Sequence, residues 1–139
     1  MLTNIRKISV EWGDCDPAGI VFYPRYFEWF NACTAALFAA AGISSHALHD
    51  TWGLAGIPMV DTRAKFFIPA TFEEELTVES VLLEFRRSSF DIRHRMLKNG
   101  KLAVECFETR VWTVRDPSNP SRLQSLAVPA EVIARFAGA

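Results

Sequence analysis

Apolar residues recur at every second position from Ile8 through Val10 to Trp12, the period of a half-buried strand, so a first strand is expected over Ile5–Trp12. The run Gly13–Gly19 then crowds Gly, Asp, Cys, Asp, Pro, Ala and Gly together, which continues neither strand nor helix and reads as a loop. Pro24 suits the first turn of a helix, where its missing N–H costs nothing, and no Gly or Pro follows until Gly42 supplies a stop. One long helix is therefore expected over Tyr23–Ala41. Its charged residues, Arg25 and Glu28, lie in the opening turns, while Phe27, Trp29, Phe30, Leu37, Phe38 and several alanines leave no polar face beyond. A helix of that kind should be buried on all sides.

Four later segments supply what could bury it. Leu54–Ile68, Glu75–Phe85, Ser89–Lys98 and Lys101–Val114 are rich in Val, Ile, Phe, Thr or Leu and are bounded by turn residues. Asn99-Gly100 is a strong signal for a two-residue hairpin, because both central positions of such a turn favour positive φ. Within Glu75–Phe85 the apolar phase passes from Leu76 and Val78 to Val81, Leu83 and Phe85, which places a bulge near Ser80. Asp116–Ser121 reads as a loop, Leu123–Ala127 as a short edge strand and Pro129–Phe136 as a final helix. The pattern predicts an α+β fold in one domain over residues 1–139: a curled antiparallel sheet wrapped around one long central helix.

Composition narrows the function. With 139 residues, half of them hydrophobic, the chain can close one core without staples. Its 15 Lys+Arg against 16 Asp+Glu leave a formal charge of -1, so no overall field favours nucleic acid or an anionic membrane, and any anion site must be local. Cys15, Cys33 and Cys106 are odd in number and widely spaced, which argues against a disulfide framework and a zinc site and fits a cytoplasmic protein. Met1–Val10 lacks the features of a signal peptide. The longest apolar stretch, Trp29–Ala41, contains Asn31 and Thr34 and falls short of the roughly 20 residues that span a bilayer.

The chemistry gathers in the loop from Trp12 to Pro24, where Asp14 and Asp16 sit between glycines just before a helix. A helix N-terminus offers free backbone N–H groups and a positive dipole end, which can receive a carbonyl oxygen as it gains negative charge. A carboxylate across the loop could attack the carbonyl carbon or deprotonate a water that does so. The stretch from Gly13 through Tyr26, with its Asp-x-Asp-x-x-Gly-x-Val core and following Tyr-Pro-x-Tyr, resembles the signature of hotdog-fold acyl-CoA thioesterases of the 4-hydroxybenzoyl-CoA thioesterase type. Gly56-Ile57-Pro58, Glu75-Leu76-Thr77-Val78 and Phe85-Arg86-Arg87-Ser88-Ser89-Phe90 extend the resemblance more weakly along the chain.

That resemblance implies a hotdog fold and hydrolysis of an acyl-CoA, with an aromatic acyl group favoured and a short-chain aliphatic one as the alternative. It makes Asp16 the catalytic carboxylate, the Tyr23 amide N–H the group that polarises the thioester carbonyl, and Asn31 a substrate-pocket residue. It also implies Arg86, Arg87 and Ser89 as the coenzyme A anchor, with Arg122 as a further candidate. Adjacent arginines at a strand junction suit phosphate oxygens on physical grounds as well. No metal or other cofactor is implied, and the assembly expected is a homodimer with active sites at the interface, joined into a homotetramer.

An Asp-rich loop can be only a turn and helix cap, and that is the reading preferred for Asp14. A calcium loop fails because Ala18 occupies the next ligand position. Cys15 as nucleophile is disfavoured by its flanking carboxylates and by the lack of a nearby His. His46 and His49 read as surface residues in a polar stretch, and His94 as a core residue on the apolar side of its strand. A hydratase would need a His in the motif, which has none, and a non-catalytic acyl-CoA-binding module stays open.

Overall fold

A computed structural model describes residues 1–137. Strand β1 (Thr3–Ser9) leads through a short 3-10 turn (Trp12–Asp14) to helix α1 (Pro24–Ala40), then helix α2 (Ser45–Trp52). Strands β2 (Met59–Phe66), β3 (Glu75–Phe85), β4 (Ser89–Lys98), β5 (Lys101–Val111), β6 (Thr113–Asp116) and β7 (Asn119–Ser125) follow, and helix α3 (Ala130–Ala137) comes last. Five strands form one antiparallel sheet in the order β1-β3-β4-β5-β2, and β6 pairs with β7 as a separate hairpin. Helix α1 packs on β1, β3 and β4, the sheet-on-helix arrangement that the pattern predicts and the resemblance names a hotdog fold.

The core falls into two adjoining groups along α1. Phe30 and Cys33 pack with Leu76, Val78, Met96, Val104 and Cys106, while Leu37 and Phe38 pack with Leu82, Phe90, Ile92, Trp112 and Phe136. Phe38 meets Phe90 and Phe136 with ring centroids 5.7 and 5.0 Å apart, distances at which tilted and edge-on rings attract. Between β4 and β5, Asn99 (φ 51°) and Gly100 (φ 76°) form the two-residue turn their sequence specifies.

Several expectations are corrected. Trp12 does not belong to the first strand: the chain leaves β1 after Ser9, and Trp12 stands 75% exposed against Phe72. Helix α1 is not buried all round, because Asn31, Ala35 and Ala39 form a stripe of successive i,i+4 positions that the sheet leaves open. The segment Leu54–Ile68 is a strand only from Met59 to Phe66. Just before it, the polar stretch containing His46 and His49 is a helix, capped by the Ser44 side chain accepting from the Ala47 amide and closed by left-handed Gly53.

In β3 the expected phase is also wrong. Leu76, Val78, Ser80 and Leu82 all face inward in regular alternation, and the register shifts at Leu83, which is exposed. A buried serine thus imitates a break in the apolar pattern. The last long strand stops at Val111, because Trp112 drops into the core and its backbone bonds to Ser88 and Leu126 instead of to the sheet. Its continuation is β6, whose partner β7 starts at Asn119 and so takes in part of the expected loop and edge strand.

Among the described residues, no helix is long and apolar enough to cross a membrane.

Candidate active site

The loop that carries both aspartates is a closed device. Cys15 bridges Val21, the Asp16 amide bonds to the Ile20 carbonyl at 2.9 Å, and the Gly19 amide bonds back to the Asp16 carbonyl at 2.9 Å. Gly19 adopts φ 82°, which favours glycine at this position. Asp14 is a structural residue here: its Oδ2 accepts from the Glu11 amide at 2.9 Å, and its Oδ1 lies 3.6 Å from Arg25 Nε. Asp16 is half-buried, and its Oδ1 accepts from the Ala18 amide at 2.8 Å. Among the described residues nothing bonds to its other oxygen, Oδ2.

The loop delivers the chain to the N-terminus of α1. The Phe22 amide is taken by the Asp14 carbonyl and the Val21 amide by Ala70. Tyr23 is the N-cap residue with no side-chain cap, and Pro24 has no N–H to offer. Among the described residues the Tyr23 amide has no partner, so one donor stands open at the positive end of the helix dipole. Beside it lies an apolar cavity of about 230 Å³, lined by Ile20, Tyr23, Tyr26, Phe66, Phe67 and Ile68. Tyr26 fixes this wall by accepting from the Ala70 amide at 3.3 Å.

Further along α1, a polar network that the sequence reading missed is buried beneath the helix. Thr34 donates to Glu108 at 2.7 Å, His94 Nε2 lies 3.1 Å from Thr34 and 3.3 Å from Glu108, and His94 Nδ1 lies 2.7 Å from the Ser80 hydroxyl. The His94 ring stacks on Phe30 at 5.1 Å. Glu108 is 1% exposed; burial raises its carboxyl pKa, but hydrogen bonds from His94 and Arg110 outweigh that and leave it below the usual carboxylate range. Arg110 donates through Nε to Glu108 at 3.0 Å, through Nη1 to the Ile57 carbonyl at 3.1 Å and through Nη2 to Asn31 Oδ1 at 2.9 Å. A second cavity, of about 320 Å³, opens here against the exposed stripe of α1.

The paired arginines part ways at the β3–β4 turn. Arg86 donates to Ser89 Oγ at 2.8 Å and to both Asp91 oxygens at 2.9 and 2.7 Å, a two-pronged pair that depresses the Asp91 carboxyl and raises the guanidinium. Arg87 is exposed, and among the described residues it makes no ion pair. The profile of the Thioesterase-like superfamily matches residues 10–136. The chain belongs to that family. A 4-hydroxybenzoyl-CoA thioesterase of Pseudomonas sp. (strain CBS-3) is 33% identical over 136 residues, which cover 89% of this chain and 90% of the relative. A solved mutant of a 4-hydroxybenzoyl CoA thioesterase, complexed with 4-hydroxybenzoyl CoA, superposes with a TM-score of 0.88 at 32% identity, covering 97% and 99% of the two chains. A gentisyl-coenzyme A thioesterase structure gives 0.80 at 27% identity, covering 97% and 100%.

In this thioesterase, then, Asp16 lies inside the loop closed by the Cys15–Val21 bridge and Tyr23 follows that loop at the start of α1, Asn31 lies two turns along α1 in contact with Arg110, and Arg86 and Ser89 touch each other in a separate turn. What went unseen, Thr34, Ser80, Glu108 and Arg110, did leave a signal. Ser80, Glu108 and Arg110 stand at inward positions of β3 and β5, and polar residues in the buried phase of a strand need partners there.

Proposed function

We propose that this thioesterase hydrolyses an aromatic acyl-CoA thioester, of the benzoyl or 4-hydroxybenzoyl kind, to the free acid and coenzyme A. The observation that carries the reading is the open Tyr23 amide at the uncapped start of α1, reached from a bridged loop whose half-buried Asp16 keeps one oxygen unbonded among the described residues. In this reading the thioester carbonyl accepts from Tyr23 N–H, so the oxygen's growing charge is met by the amide and the helix dipole. Asp16 then acts by one of two routes. As nucleophile it forms a mixed anhydride, expelling the coenzyme A thiolate, and water cleaves the anhydride; as general base it takes a proton from a water that attacks the acyl carbon directly. Either way water adds, the C–S bond breaks and the thiolate leaves, to be protonated.

Asn31 serves the acyl pocket, and Arg87 grips coenzyme A phosphate, with Arg86 and Ser89 shaping the turn that presents it. A second copy completes the cleft as a homodimer, with dimers pairing into a homotetramer in the cytoplasm. Support for pairing comes from β2, a sheet-edge strand whose neighbourhood exposes Met59, Val60, Phe66 and Phe67. The names of the relatives support the substrate class. Purified protein should release free thiol from benzoyl-CoA. If none of a panel of aryl and aliphatic CoA esters yields thiol, the reading fails.

A further inference from the structure

Asp16 and Tyr23 both depend on a segment that contains neither of them. The stretch Ile20–Val21 is the middle of a small ladder of three segments. On one side the Cys15–Val21 bridge and the Asp16 amide on the Ile20 carbonyl join it to the aspartate loop. On the other, the Ile20–Thr71 bridge and the Val21 amide on the Ala70 carbonyl, at 2.9 Å, join it to Ala70–Thr71. Asp16 thus hangs from one edge of the ladder, and Tyr23 leaves from its middle. The far edge also touches α1, because the Ala70 amide donates to the Tyr26 hydroxyl. A shift of Ala70–Thr71 therefore moves both groups.

What holds that edge is a carboxylate. Glu74 Oε1 accepts from the Thr71 amide and from the Thr71 hydroxyl, each at 2.6 Å, and so closes the turn Thr71–Glu74. The turn is strained: Glu73 has φ 71°, a left-handed conformation that a non-glycine residue keeps only where its surroundings impose it. Val10 pins the backbone there, donating to the Glu74 carbonyl at 2.9 Å and accepting from the Glu73 amide at 3.0 Å. Glu74 Oε2 lies 2.8 Å from Lys98 Nζ, and the same ammonium donates to the Pro69 carbonyl at 3.0 Å. One cation at the end of β4 thus grips the chain on both sides of Ala70–Thr71. Burial raises the Glu74 carboxyl pKa, but hydrogen bonds from Lys98 and Thr71 outweigh it and hold the group below the usual carboxylate range.

We propose that Glu74, tied to Lys98, is a positioning residue for thioester hydrolysis: through Thr71 and Ile20 it sets where the Asp16 carboxylate and the Tyr23 amide stand relative to each other. The inference rests on the reading of those two groups as the reacting pair. Neither Glu74 nor Lys98 lines the cavity beside Tyr23, and the turn carrying Arg87 is no part of the brace, so its loss acts on kcat rather than on KM.

The test reads Glu74→Ala against the parent by thiol release from benzoyl-CoA and by amide hydrogen exchange, with melting recorded for every variant. Displacing reacting groups by about 1 Å costs on the order of 10²-fold, so kcat should fall about 10- to 100-fold with KM within about twofold. The peptide covering residues 14–22 should exchange about tenfold faster, while the one covering β5 keeps the parent rate. Glu74→Gln, which can still accept from Thr71, should lose no more than about threefold in kcat. Lys98→Met spares the bonds to Thr71 and should lose about three- to tenfold. Glu75→Ala, next in sequence, removes only an exposed pair with Lys7 and should leave kcat unchanged. A folded Glu74→Ala with the parent's kcat, a loss confined to KM, a Gln variant as impaired as the Ala one, or unchanged exchange over residues 14–22 overturns the inference and leaves hydrolysis standing. If Glu74→Ala does not fold, parent-like kcat and exchange in Lys98→Met overturn it instead. If the parent releases no thiol from any ester while exchange responds as expected, the hydrolase reading falls and the positioning of Asp16 and Tyr23 by Glu74 stands.

Discussion

Replacing Glu108 by Gln keeps the shape of the buried network and removes its negative charge, which makes it the sharpest probe of how the helix and sheet are joined. Glu108 accepts from Thr34 and Arg110, and the side chains of Glu108 and Arg110 are 1% and 7% exposed, so water cannot stand in for the lost carboxylate. Removing one member of a buried ion pair typically costs about 3–5 kcal/mol, chiefly through the charge left behind. Unfolding entropy of about 2.1 cal/mol/K per residue gives about 0.3 kcal/mol/K for 139 residues, so the melting temperature should fall by about 10–17 °C. Thermal denaturation followed by circular dichroism, at one fixed protein concentration because assembly shifts the midpoint, reads this directly. Glu108→Met combined with Arg110→Met removes both charges and should recover most of the loss. A Gln variant that melts within about 3 °C of the parent would refute the reasoning.

Two other outcomes follow from the same geometry. The Glu108 and Asp91 carboxyls are held below their ordinary values, so the stability they contribute is fully present above the unfolded-state values near 4.5 and 3.8 and is lost as pH falls through the folded ones; melting temperature should be level from pH 7 to 5 and drop below about 4.5, less steeply in Glu108→Gln. Arg87→Ala should raise KM for a CoA ester about fivefold at low salt with kcat unchanged, an effect that shrinks as ionic strength rises, whereas a KM unaltered at low salt removes Arg87 from the phosphate site.

The sequence was most legible where one force acts alone. Pro24 and Gly42 bracket α1 to within a residue or two, and Asn99-Gly100 demands its turn whatever surrounds it. The motif loop was legible because its residues bond to one another. Misreadings arose where tertiary structure overrides local pattern. Ser80 looked like a break in phase because its burial depends on His94, fourteen residues away. Trp112 looked like strand because nothing local says that it will turn into the core. The stripe Asn31, Ala35 and Ala39 looked buried because alanines serve equally well under a sheet and on an open helix face, and a single Asn among them did not mark that face as exposed. Arg86 and Arg87 looked equivalent, and what distinguishes them is the set of partners that Arg86 finds around the turn, Asp91 above all.

The central claim is that Asp16 performs the chemistry against a carbonyl held at the start of α1, and steady-state thiol release from benzoyl-CoA by Asp16→Asn tests it most directly. Asn keeps the side chain's shape and can still accept from the Ala18 amide, so the loop should stay folded while the reacting charge is gone. The expected result is a kcat lower by about 10²–10⁴-fold with an unchanged melting temperature. A variant that keeps more than about a third of the parent rate would contradict the account.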